Sequence, residues 1–142
     1  MTDELFSQSL KKTVEAAIEQ AELNTSGEIR VHIEKHCSED VLDRAAKIFA
    51  KLGMHKTNLR NGVLFYLASV DHKFAVLGDV GINQKVPDNF WDEIKEEMQN
   101  YFKMHDFEGG LSKGILKAGE QLKKYFPYES ADKNELPNEI SY

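Results

Sequence analysis

Polar side chains far apart in the sequence carry most of the chemistry this chain offers, all of them oxygen donors except the Arg60 guanidinium: Ser26 and Glu28, Arg60 and Asn61, Asp79 and Asn83, and Asp106 and Glu108. Carboxylates gathered in one place repel one another unless protons or a cation neutralise them. A donor set of hard oxygens alone suits calcium or magnesium rather than zinc. No local loop would supply such a site, because DVGINQKVPDNF lacks the acid spacing and closing glutamate of an EF-hand. A rival set comprises His36, Cys37 and Ser38 with Asp71 and His72. One thiol and two imidazoles could hold zinc or give an activated thiolate. A lone cysteine with no oriented partner is, however, more often inert, and Asp and His are ordinary turn residues.

Which of these groups meet depends on the elements that carry them. The stretch from Arg60 to Gly81, RNGVLFYLASVDHKFAVLGDVG, reads as two apolar strands joined by a short polar turn. The first, Gly62 to Ala68, is continuously apolar and rich in β-branched and aromatic residues, as expected of a strand covered on both faces. The second begins at Phe74, and the break around Ser69, Asp71 and His72 has the length of a hairpin connection. Upstream, Phe6, Leu10, Val14, Ile18 and Ala21 form an apolar helical stripe from about Thr2 to Ala21. After the turn-rich NTSG, Ile29, Val31 and Ile33 alternate with Glu28, Arg30, His32 and Glu34, the pattern of a strand near a sheet edge. A helix capped by Ser38 and stopped at Gly53 follows, which makes the two flanking strands a parallel βαβ pair.

Downstream, a turn at INQKVP leads to a helix capped by Asp88. A last helix after HDFEGG is halted by Pro127. Gly110, Gly114 and Gly119 within or at the start of that helix imply close packing, since glycine otherwise weakens a helix. The order α-β-α-β-β-α-α predicts an α/β fold, a three-layer α/β/α sandwich around a small mixed sheet. Strands one and two run together and strand three returns, so Glu28, Arg60, Asn61 and Asp79 belong to one sheet edge. A final helical hairpin with its junction on that side would add Asp106 and Glu108.

The 142 residues suffice for one domain with a core, placed at residues 1–127, and the acidic segment 128–142 reads as a mostly extended or disordered tail in which Ile140 and Tyr142 can dock. A formal charge of −6 disfavours phosphate backbones and anionic membranes as partners. The aromatic residues fall on helical core stripes, and GDVGIN lacks the Lys-Ser/Thr end of a phosphate loop. Nucleic acid and nucleotide therefore have no support. One cysteine excludes an internal disulfide framework, and no window is apolar enough to span a membrane. With no leader pattern at MTDELFSQ, these features predict a cytoplasmic monomer.

NTSGEIRVHI, then RNGVLFYLASVDHKFAVLGDVGIN after a helix, then a helical pair, resembles the TPM domain, a family that includes thylakoid-lumen acid-phosphatase-like proteins and short soluble bacterial members. The likeness covers about residues 5–126 and is most specific at SGEI, RNGVL and GDVG. It implies an α/β/α sandwich, divalent cation binding and, in some members, weak phosphatase activity. By position, Glu28, Asn61 and Asp79 fall in the matching motifs. The chain departs from the family pattern where many members carry Val-Asn-Asp before the first helix, and where GDVG replaces Gly-aromatic-Gly. Both departures bear on phosphatase activity more than on cation binding.

The leading expectation is a calcium- or magnesium-binding domain with Glu28, Asn61, Asp79 and Asp106 as ligands. Arg60 is the candidate for stabilising negative charge in phosphoester hydrolysis. A noncatalytic module that uses the sheet edge or the tail to bind a protein, such as a membrane-associated partner, is the alternative.

Overall fold

A computed structural model of the chain describes residues 8–128 and 136–142. The expected first helix begins there at Gln8, and its earlier residues lie outside the described ones. Helix α1 (Gln8–Glu22) is followed by β1 (Glu28–Glu34), α2 (Val41–Lys51), a 3-10 turn (Met54–Lys56), β2 (Gly62–Ala68), β3 (Lys73–Gly78), α3 (Val80–Asn83), α4 (Asp92–Lys103) and α5 (Phe107–Leu122).

The sheet order is β1-β2-β3, with β2 central. Strands β1 and β2 pair in parallel from Glu28 opposite Gly62 to Glu34 opposite Ala68. Strand β3 returns antiparallel, from Ala68 opposite Lys73 to Val63 opposite Gly78. Every residue of β2 is buried, as its unbroken apolar run requires. Alternation along the strands then makes two cores. Ile29, Val31, Ile33, Val63, Phe65 and Leu67 face α1, α4 and α5. Leu64, Tyr66, Ala68 and Ala75 face α2 and the 3-10 turn. This is the three-layer α/β/α arrangement expected from the order of elements.

Helices α1 and α5 lie side by side in the same direction. Ser9 and Thr13 donate to the Glu108 carboxylate at 2.9 and 3.0 Å near one end. Near the other, Gly119 meets Ala21 so closely that a Cβ on Gly119 would sit 2.6 Å from the Ala21 Cβ and 2.8 Å from its Cα. The glycines of α5 thus mark close packing, as their spacing predicts.

Four local expectations change. Helix α5 starts at Phe107, inside the HDFEGG break, where Asp106 caps it, and ends at Leu122, short of Pro127. Asp40, not Ser38, caps α2, accepting from the Leu42 and Asp43 amides. Residues 80–83 form a helical turn where an irregular turn is expected, because the Asp79 carboxylate accepts from Val80 N at 2.7 Å and initiates it. Helix α4 then starts at Asp92, later than the Asp88 cap predicts; Trp91 holds the N-cap position, and Asp92 and Glu93 in the first turn complement the helix dipole.

The tail also has structure in its described part. Ile33 N donates to Ser141 O and Ser141 N to Val31 O, both at 2.9 Å, so the chain end lies parallel to the outer edge of β1.

Candidate cation site at the start of the parallel strands

The start of β1, the loop before β2 and the end of β3 share one edge of the sheet. Glu28 N donates to Asn61 O at 3.1 Å and Asp79 N to Gly62 O at 2.9 Å, which carries the edge across all three strands. Glu28 and Asn61 are only 3% and 2% exposed. Asn61 is fixed from both sides. Its Nδ2 donates to Ser26 O at 3.1 Å, and its own amide donates to Thr57 Oγ1 at 3.3 Å. Its Oδ1 is buried with no protein donor. Such an oxygen forfeits its hydration without compensation unless something electropositive meets it.

A second carboxyl reaches this edge from α1. Glu22 closes that helix, and after the break at residues 23–27 the chain re-enters the sheet at Glu28. Glu22 Oε2 accepts from Ile29 N at 3.1 Å, and the Glu22 side chain hydrogen-bonds that of Glu28. Burial, and then the Glu28 carboxylate beside it, push the Glu22 carboxyl up to about 8, although the Ile29 bond opposes the shift. A bond between two carboxyl groups needs a proton between them; a cation would serve the same purpose.

Asp79 and Arg60 form the rest of the edge and are committed to each other. Arg60 Nε meets Asp79 Oδ2 at 2.7 Å and Nη2 meets Oδ1 at 2.9 Å, while Oδ1 also caps α3. The Asp79 side chain is 5% exposed and that of Arg60 45%. Arg60 takes a left-handed backbone with φ 50°. Gly81 explains how the loop closes, since its amide donates to Arg60 O at 2.9 Å and a Cβ there would lie 2.1 Å from Leu59 O.

Asp106 is not part of this edge, which corrects the expectation that it joins Glu28, Asn61 and Asp79. It caps α5 by accepting from Gly109 N at 2.8 Å, and the adjacent His105 ring stands 5.7 Å from that of His72 in the β2–β3 turn. The helical junction is therefore at the hairpin end of the sheet. The parallel packing of α1 and α5 requires this, because it aligns the start of α5 with the start of α1.

The rival set at that end forms a loop clamp. Asp71 accepts from His36 Nδ1 at 3.1 Å and from Cys37 N at 2.6 Å. Cys37 is buried, with Sγ toward Glu39 O at 3.3 Å, and His72 turns to His105. No group of three or more His, Cys, Asp or Glu able to hold a metal occurs among the described residues. Any cation at the opposite edge would therefore rely on the Glu22 and Glu28 carboxyls together with amide or main-chain oxygens.

An α/β/α sandwich with a three-stranded mixed sheet defines the fold class. The chain belongs to the TPM domain family, whose model matches residues 1–121. It is similar to the BA42 protein of the psychrophilic bacterium Bizionia argentinensis, whose NMR structure shares 48% identity and a TM-score of 0.93 over 99% of this chain and 97% of that one. The fold is shared with the N-terminal domain of cg2496 from Corynebacterium glutamicum at 14% identity and TM-score 0.65, covering 96% of this chain and 80% of that one. A P. gingivalis N-terminal domain shows it at 19% identity and TM-score 0.69, covering 87% and 80%. No curated protein matches the chain. No helix among the described residues is long and apolar enough to cross a membrane.

Proposed function

We propose that this domain binds a divalent cation, calcium or magnesium, at the edge formed by Glu22, Glu28 and Asn61. The observation that carries the reading is the buried Asn61 Oδ1 without a donor, on a side chain anchored to Ser26 O at the start of the strand that bears Glu28. Two carboxyls and an amide oxygen are hard donors of the kind these ions take, and water or main-chain oxygens complete such shells. Asp79 contributes by holding Arg60 rather than as a primary ligand, because its oxygens already serve the guanidinium and the α3 cap.

A cation bound there supplies a Lewis-acid contact for a phosphoryl oxygen. The chain's own part is to hold the donors and to present Arg60, oriented by Asp79, to the remaining negative charge. Metal-dependent phosphoester hydrolysis is thus the activity to assay at this edge. Arg60→Ala should abolish it while leaving cation affinity within about twofold.

The deciding experiment is an NMR titration of metal-free full-length chain with CaCl2 and then MgCl2. Saturable shifts are expected at the amides of residues 22, 26–30 and 60–62, with affinity at least tenfold weaker in Glu28→Gln. No shift in these segments up to millimolar ion overturns the reading.

A further inference from the structure

Strand β1 is an edge strand, and an open edge is a template for another chain. Its outer side is covered only in part among the described residues. Ser141 makes two main-chain bonds, to Ile33 and Val31, and His32 pairs with Ser141 as an isolated bridge rather than as part of a ladder.

The cover reads both faces of the edge. Ile140 is buried among the apolar residues on the α1 and α5 side. Ser141 Oγ lies 2.9 Å from His32 Nδ1 on the α2 side. Leu136 enters the core beneath α2. The floor under Ser141 is a connected set of side chains. His32 stacks on Tyr66 with ring centroids 6.0 Å apart and planes at 9°, and Arg44 and Tyr66 both bond the Glu34 carboxylate. Main-chain groups at Val31 and Ile33, an apolar slot on one side and an imidazole on the other together form a recognition groove for an extended segment. An aliphatic residue followed by a hydroxyl residue matches it. Strand addition of this kind takes affinity from main-chain bonds and specificity from alternate side chains.

We propose that the outer edge of β1 is a strand-addition site for an extended peptide of a partner protein carrying an aliphatic–hydroxyl pair, and that the chain's own Leu136–Tyr142 segment occupies it as a displaceable competitor. The sandwich closes without this segment, because α1 and α5 cover one face of β1, and the chain has already bridged back to the sheet end through Thr25 and Pro127. Among the contacts that hold the segment, the two main-chain bonds of Ser141, its side-chain bond to His32 and the buried Leu136 and Ile140 side chains act against the ordering of a whole chain end, a balance that permits local opening.

The test uses the full-length chain, its Ile140→Asp variant, and a synthetic LPNEISY peptide as probe. The variant should keep the far-UV CD spectrum and the amide spectrum of β2. Peptide should shift the Val31, His32 and Ile33 amides saturably in both proteins, at least tenfold more tightly in Ile140→Asp, and without effect at residues 60–62. In the unmodified chain the Ile33 amide should exchange with solvent at least a hundredfold faster than β2 amides. Exchange of Ile33 as slow as that of β2, or no peptide shifts in a folded Ile140→Asp variant, overturns the proposal. Concentration-dependent dimers that exchange the segment between copies would make a second copy the occupant and overturn the partner reading.

Discussion

Glu22 and Glu28 meet carboxyl to carboxyl where helix α1 hands the chain to strand β1, and Ile29 N, next to Glu28, donates to Glu22 at 3.1 Å. This contact draws one ligand candidate from a helix end and another from a strand start. Burial and the neighbouring Glu28 carboxylate both favour the neutral form of Glu22 there.

Replacing Glu22 by Gln keeps the acceptor for Ile29 N and removes one like charge. In chelator-treated protein at pH 7, Glu22→Gln should be as stable as the unmodified chain or more stable, by about 1 kcal/mol, the worth of roughly one pKa unit. Calcium should stabilise the unmodified chain by about 2.7 kcal/mol at a hundredfold excess over Kd. It should stabilise the variant by at least 1 kcal/mol less, which corresponds to about a tenfold loss in affinity. Urea midpoints with and without CaCl2 check both.

Glu34 sets the acid limb of stability. Arg44 holds its carboxyl down to about 2 against partial burial, with help from Tyr66 and His32. The folded value lies below the ordinary one, so this stabilisation is complete above about pH 4.5 and is lost as the pH falls toward 2. Arg44→Ala should cost about 1.5–3 kcal/mol at pH 7, the range of a charge-assisted hydrogen bond. The cost should shrink steadily in urea melts taken from pH 5 to pH 2.

Two glycines of α5 should respond differently to the same change. A Cβ on Gly119 meets the Ala21 Cβ and backbone, whereas one on Gly114 meets side-chain atoms, the Cγ and Sδ of Met98 at 2.6 Å. Gly119→Ala should therefore destabilise by about 2 kcal/mol or more, the scale of overpacking. Gly114→Ala should fall well below that, because Met98 can move and alanine favours a helix by about 1 kcal/mol. Thermal melts of the two variants settle the order.

Arg60 combines a left-handed backbone with an ion pair to Asp79. Arg60→Gly and Arg60→Val both lose the pair, but only valine is strained at φ 50°. Valine should be the less stable of the two by about 1–2 kcal/mol, measured as the difference in urea midpoint. Similar midpoints would remove backbone strain from the account of this loop.

Much of the fold was legible because its signals are local. The apolar run of β2, the alternation in β1 and the short polar turn before β3 fixed strand directions, and those directions put Glu28, Asn61 and Asp79 on one edge. Asp106 was misplaced because a helical hairpin can dock with its junction at either end of a sheet. The choice is made by a long-range fit of Gly119 on Ala21, which no short window displays. Glu22 was missed for a related reason. It follows the last residue of the apolar stripe, and only the path through residues 23–27 turns its carboxyl toward Glu28. The dual role of Asp79 as cap and as Arg60 partner was hidden because the helical turn it starts is too short to give a periodic signal.

The side-by-side course of α1 and α5 also bears on how the chain is made. The first described helix leans on the last, and their contacts join residues 98 and 99 positions apart, as in Ala21 with Gly119 and Ser9 with Glu108. During synthesis, Leu10, Val14 and Ile18 emerge early and lack their α5 cover until the chain beyond residue 119 leaves the ribosome. A nascent chain stalled at about residue 100 would expose that stripe to chaperones and to protease, and release of the last helix would end both liabilities in one step.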